Sequence, residues 1–188
     1  HALEHMLTKS SNYTTTKVLL DDMLKYTINQ NAFTDEYSIC ASEFTSTDKN
    51  IEKALELTQS MLSRKTFSKE LLKRELEVIK QEILMYKEEE NSSELSAFDL
   101  LLGEIAPTKS GPLDILGNSK TLKMITPELL SSYKKRYFNL ENLVISVTTN
   151  KPLSTVLELC NKYILSSVSP ATNAKYIITE PPKLRFKD

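Results

Sequence analysis

Apolar residues along this chain recur at two periods, one helical and one extended. Between Thr15 and Lys25, Val18, Leu19, Met23 and Leu24 fall at helical spacing with acidic residues among them, which predicts a helix. Tyr26 to Thr34 reads as extended, and the short, branched and aromatic residues from Tyr37 to Phe44 read the same way. With Thr34, Asp35 and Glu36 between them, the two stretches predict strand, turn, strand. The polar run Thr45, Ser46, Thr47, Asp48 offers a capping Ser, Thr or Asp for a helix over Lys49 to Ser63. After a break at Lys65, Thr66 and Phe67, Ser68 caps a longer helix reaching about Glu90, with Leu71, Leu72, Leu76, Ile79, Ile83 and Met85 on its apolar side.

Beyond that helix, Asn91 to Ser93 reads as a cap, Glu94 to Ile105 as a short helix, and Pro107 to Pro112 as a loop. Thr126, Pro127 and Glu128 mark another helix start, because proline in the first turn gives up an N–H that has no helical partner anyway. That helix is predicted to end near Tyr137. Leu143 to Thr149 is strongly β-forming, Leu153 to Leu165 is helical, and Ser166 to Asp188 is rich in Ser, Pro and Lys with one candidate strand at Tyr176 to Thr179. The expected architecture is α+β, a mixed and mainly antiparallel sheet packed against helices. Residues 1–165 form its domain, and residues 166–188 a linker or the start of a connection to a second half.

Composition narrows the classes. With 188 residues, 40% of them apolar and 26% charged, the chain can bury the core of one ordinary domain. Lys and Arg number 24 against 25 acidic residues, so nothing electrostatic calls for nucleic acid. No apolar run approaches the roughly 18 residues of a membrane span, and no signal peptide precedes the first motif. Cys40 and Cys160 lack any CxxC or Cys/His spacing and read as buried free thiols, which favours a cytoplasmic home.

The chemistry concentrates at the start. HALEH holds the two histidines of the chain, His1 and His5, one helical turn apart on one face, with Glu4 close by. Two imidazoles cannot close a catalytic zinc site, which takes three protein ligands and leaves a position for water. The long helix offers Glu75 and Glu82, two turns apart on one face, one to bind metal and one to brace a histidine. Taken singly, these glutamates read as solvated residues among Lys73, Arg74, Lys80 and Lys87.

HALEH is an HxxEH sequence, and the helix reads RELEVIKQEILMYKEE. With NAFT at Asn31 to Thr34, GPLDILGNSKTLKMIT before Pro127, and RYFNLENLVISV at Arg136 to Val147, the chain resembles the insulinase or pitrilysin family of zinc metallopeptidases, which includes the mitochondrial processing peptidase. The resemblance runs over roughly residues 1 to 165. It implies Zn2+ held by His1, His5 and Glu82, Glu4 as general base, and Glu75 orienting a ligand histidine. It also implies that Asn31, Ala32 and Phe33 form the edge strand that docks a peptide substrate.

The implied activity is zinc-dependent endopeptidase cleavage of short or unfolded peptides. The implied partner is a second homologous half, in the same longer chain or in a partner subunit, which supplies an Arg and a Tyr as oxyanion donors. Arg136 and Tyr137 match a helix end instead. The alternative is a non-catalytic scaffold subunit of such an assembly, although scaffold members usually lose HxxEH. Gln30 stands where the family has a glycine before NAxT, and LTKSSN after HALEH lacks the usual Gly-Thr turn. The family's strands before HxxEH are missing, so a chain starting on a ligand is expected to be N-terminally truncated.

Overall fold

Helix α1 (Ala2–Lys9) buries Leu3, Met6 and Leu7 on one face, while Glu4 in its first turn and Lys9 in its last suit the helix dipole. It belongs to a computed structural model that describes residues 1–9, 16–35, 38–90 and 115–170. The predictions for Glu94 to Ile105, for the Pro107 to Pro112 loop and for Tyr176 to Thr179 lie outside the described residues.

Helix α2 (Thr16–Lys25) ends where Ile28 N–H reaches back to Met23 O at 2.8 Å, with Thr27 at φ 52. A left-handed residue here reverses the chain and is normally glycine; a β-branched threonine holds it under strain. The reversal leads into β1 (Asn29–Thr34), antiparallel to β2 (Ile39–Thr45), as the strand, turn, strand pattern anticipated. Asn31 pairs with Glu43 but Phe33 pairs with Cys40, so β2 carries one extra residue and both Ala41 and Ser42 stand opposite Ala32. Among the described residues the sheet has these two strands, and β1 keeps one edge unpaired.

Helix α3 (Ile51–Leu62) covers the sheet, with Ala54 and Leu57 packed on Ile28 and Phe44. Its cap differs from the expectation of Ser, Thr or Asp. Asn50 occupies the position without capping, because its Nδ2 donates instead to Tyr26 O at 2.6 Å and ties the helix to the turn before β1. Helix α4 (Lys69–Glu90) starts as predicted, Ser68 Oγ accepting from Leu71 N–H at 3.2 Å. Phe67 and Leu72 join Leu3, Met6 and Leu7 in one cluster, and Ile79 and Ile83 join Leu122 in a second. Ala2 touches both clusters, so α1 lies along the apolar stripe of α4.

A short helix not anticipated from periodicity, α5 (Ser119–Leu122), is held by a reciprocal capping box between Asn118 and Thr121. Helix α6 (Pro127–Tyr137) has the predicted start, Thr126 Oγ1 accepting from Leu129 N–H at 3.1 Å. Its buried Lys134 reaches across to the end of α3, donating to Leu62 O and Arg64 O. The α+β class stands.

Two predictions at the C-terminal end need correction. Leu143 to Thr149 forms no strand: no described segment pairs with it, and Val144 is 91% exposed, so β propensity there finds no ladder. The helix from Leu153 is regular only as far as Leu159 (α7, Leu153–Leu159), then widens into a π turn (Cys160–Ile164) and tightens into a 3-10 turn (Leu165–Ser167). That irregular turn seats Tyr163, Ile164 and Val168 against Leu55 and Leu62 of α3, and Tyr163 O–H donates to Glu52 at 2.9 Å.

Candidate metal centre

Because α1 packs along α4, His1 and His5 project toward the α4 face that carries Glu75 and Glu82. Three ligand-type atoms converge there. His1 Nε2 and His5 Nε2 are 3.2 Å apart, and Glu82 Oε2 lies 3.6 Å from each. Ligands on a tetrahedral zinc at its usual bond lengths stand about 3.3 Å from one another, so this triangle fits the ion closely. The side chains of His1 and His5 are only 14% and 13% exposed, which keeps the nitrogens largely out of water.

The protonation pattern suits a cation as well. Glu75 Oε2 stands 3.1 Å from His5 Nδ1, and a carboxylate can only accept, so Nδ1–H is the donor and the neutral tautomer that makes this contact presents the Nε2 lone pair. Glu75 is itself 7% exposed, and the ion pair it makes is with His5. Both glutamates face imidazoles, Glu75 buried and Glu82 partly exposed. Lys80, by contrast, pairs with Glu77 on the outer face. His1 Nδ1 is buried without a hydrogen-bond partner among the described residues.

Glu4 completes the group. Ligand atoms of His1, Glu4 and His5 all lie within 4.8 Å of one another. Glu4 Oε2 accepts a 2.6 Å hydrogen bond from Thr34 Oγ1 at the end of β1. Asn31, Ala32 and Phe33 lie on that same strand, with Phe33 45% exposed. Across the ladder, burial pushes the Cys40 thiol up, with the Glu43 and Glu4 carboxylates adding to the effect, so it stays protonated. Cys40 and Cys160 are both free thiols, half-buried rather than buried as expected. Arg136 stacks on its own neighbour Tyr137, 5.3 Å from the ring centre, at the end of α6.

The profile of the family described as Insulinase (Peptidase family M16) matches residues 1–107, more than half of the chain. The chain belongs to the insulinase family of zinc metallopeptidases. This insulinase-family chain is 29% identical over 182 residues to an uncharacterised zinc protease of Rickettsia felis, covering 94% of this chain and 43% of the relative. It is 26% identical over 183 residues to a probable mitochondrial-processing peptidase subunit beta of Arabidopsis thaliana, covering 96% and 34% respectively. The chain thus spans less than half the length of these curated relatives. The crystal structure of pitrilysin shares its fold, with a TM-score of 0.77, 19% identity, and coverage of 97% of this chain and 19% of that one. No described helix is long and apolar enough to cross a membrane.

Proposed function

We propose that this insulinase-family chain is the catalytic half of a zinc-dependent endopeptidase acting on short or unfolded peptides. The observation that carries the reading is the triangle of His1 Nε2, His5 Nε2 and Glu82 Oε2 with Glu4 beside it. His1, His5 and Glu82 would hold the ion. Zinc bound there supplies a Lewis acid for the scissile carbonyl and makes a neighbouring water more acidic.

The chain's own groups do the rest. Glu4, a carboxylate within reach of the triangle, accepts the water's proton and returns it to the leaving amine. Glu75 keeps His5 in the tautomer and orientation that present Nε2. The free edge of β1 at Asn31, Ala32 and Phe33 suits an extended peptide, whose main chain can continue the ladder with little demand on side-chain identity. Because the longer relatives carry more than twice this length, a second homologous half is the partner expected to close the site and supply oxyanion donors.

Elemental analysis of wild type, His5→Ala and Glu82→Gln, beside hydrolysis of a quenched fluorescent peptide, tests the reading. Stoichiometric zinc that disappears in both ligand variants, with turnover lost in Glu4→Gln, is the expected outcome. Zinc without turnover, even with a complementary half added, would favour a scaffold subunit instead. Zinc-free wild-type protein would refute the metal site.

A further inference from the structure

Thr34 is the last residue of β1, and its hydroxyl donates the 2.6 Å hydrogen bond to Glu4 Oε2 across an interval of 30 residues. Both residues are half-buried, so the bond is partly shielded from competing water. Glutamate has three side-chain torsions and, unrestrained, samples many rotamers. A general base must instead meet its proton within hydrogen-bond reach. Thr34 occupies one of the acceptor sites on Oε2 and leaves the carboxylate further lone pairs with which to take a proton.

The same bond fixes the strand. At its near end, Gln30 Nε2 donates to Ser42 Oγ at 2.9 Å, and Ser42 is linked in turn to Thr58 of α3 at 2.8 Å. At its far end, Thr34 is tied to α1 through Glu4. Between the two anchors lies the bulge opposite Ala32, which sets where the free edge turns. The Thr34 hydroxyl is therefore the side-chain link in this arrangement that runs directly from β1 to the base.

We infer that Thr34 is a positioning residue, holding the Glu4 carboxylate and the substrate edge strand in one register. The inference rests on the peptidase reading above. It calls for three variants, Thr34→Val, Thr34→Ser and Glu4→Ala, studied in zinc-loaded protein with the complementary half supplied if turnover requires it. Thr34→Val keeps the shape and removes the hydroxyl; it should lower kcat about tenfold, a fraction of what a misplaced base can cost, with KM little changed. Thr34→Ser should restore most of the loss. Zinc content and chelator-competition affinity should match wild type in both, since Thr34 is not a ligand. Thermal unfolding supplies a readout independent of turnover: Thr34→Val should lower Tm when Glu4 is present and leave it unchanged in the Glu4→Ala background.

Wild-type kcat in Thr34→Val, a serine variant as impaired as the valine one, or equal Tm losses in both backgrounds would overturn the inference while the peptidase reading stands. Wild-type protein that holds no zinc, or turns over no peptide, defeats the peptidase reading and takes the role of Thr34 with it.

Discussion

His5 Nδ1 and Glu75 Oε2 stand 3.1 Å apart although 70 residues separate them in the chain. The contact joins α1 to α4 and favours the His5 tautomer with its proton on Nδ1. Glu75→Gln keeps the size of the side chain and removes its charge. We expect zinc affinity to fall about 10- to 100-fold, the usual cost of losing a partner behind a ligand histidine. Competition with a chromogenic chelator measures it, and unchanged affinity would remove Glu75 from the site.

The role proposed for Glu4 has a different signature. Glu4→Gln should leave zinc binding near wild type, because the triangle of His1, His5 and Glu82 does not include it. Turnover should fall by roughly 10²- to 10⁴-fold, the range for loss of a positioned general base. Paired metal analysis and peptide hydrolysis check the separation; joint loss of zinc and activity would make Glu4 a ligand instead.

Leu7 is fully buried where α1 meets α4. Leu7→Ala should cost about 2–5 kcal/mol, from lost burial and the cavity left behind. Since the same contact aligns His1 and His5 with Glu82, the variant should also bind zinc more weakly. Urea unfolding with a parallel zinc titration tests both, and a stability loss with native affinity would show that the site does not depend on this packing.

Lys134 gives a pH signature. Burial, reinforced by the nearby Arg64 charge, lowers its pKa from 10.5 to about 8. Between those two values the unfolded chain holds a proton that the folded protein has released, so this group makes stability rise with pH across the window from 8 to 10.5. Below about pH 8 both states are charged and the cost of burying the ammonium is fully present. Urea unfolding of wild type and Lys134→Met at several pH values should show a rising wild-type contribution that the variant lacks. Parallel profiles would refute it.

Thr27 adopts φ 52 at the end of α2. Thr27→Gly should stabilise the protein by about 0.5–1 kcal/mol, because relief of left-handed strain exceeds the added backbone freedom of the unfolded chain. A Tm no higher than wild type would show that the threonine side chain makes compensating contacts.

Much of this was legible locally. Ser68 and Thr126 cap helices where their sequences placed them, since an N-cap depends on a side chain and the N–H groups just after it. Asn50 escaped that logic because its amide was drawn to Tyr26 O, a partner supplied by the fold. Leu143 to Thr149 escaped it for a related reason: β propensity describes residues that suit a ladder, and the neighbouring strand is a tertiary fact. The π turn after Leu159 likewise reflects how Tyr163 and Ile164 seat on α3.

At the candidate metal centre the division is equally clear. Sequence alone determined that His1 and His5 share a helix face, that Glu75 and Glu82 share another, and that the family pattern joins them, because helical period is a property of the local backbone. Only the tertiary structure decided that Glu75 meets Nδ1, that Glu82 stands 3.6 Å from both imidazoles, and that Thr34 holds Glu4. Those relations depend on how Leu3, Met6 and Leu7 pack against α4 and on where β1 ends, and such long-range burial has no local period to read.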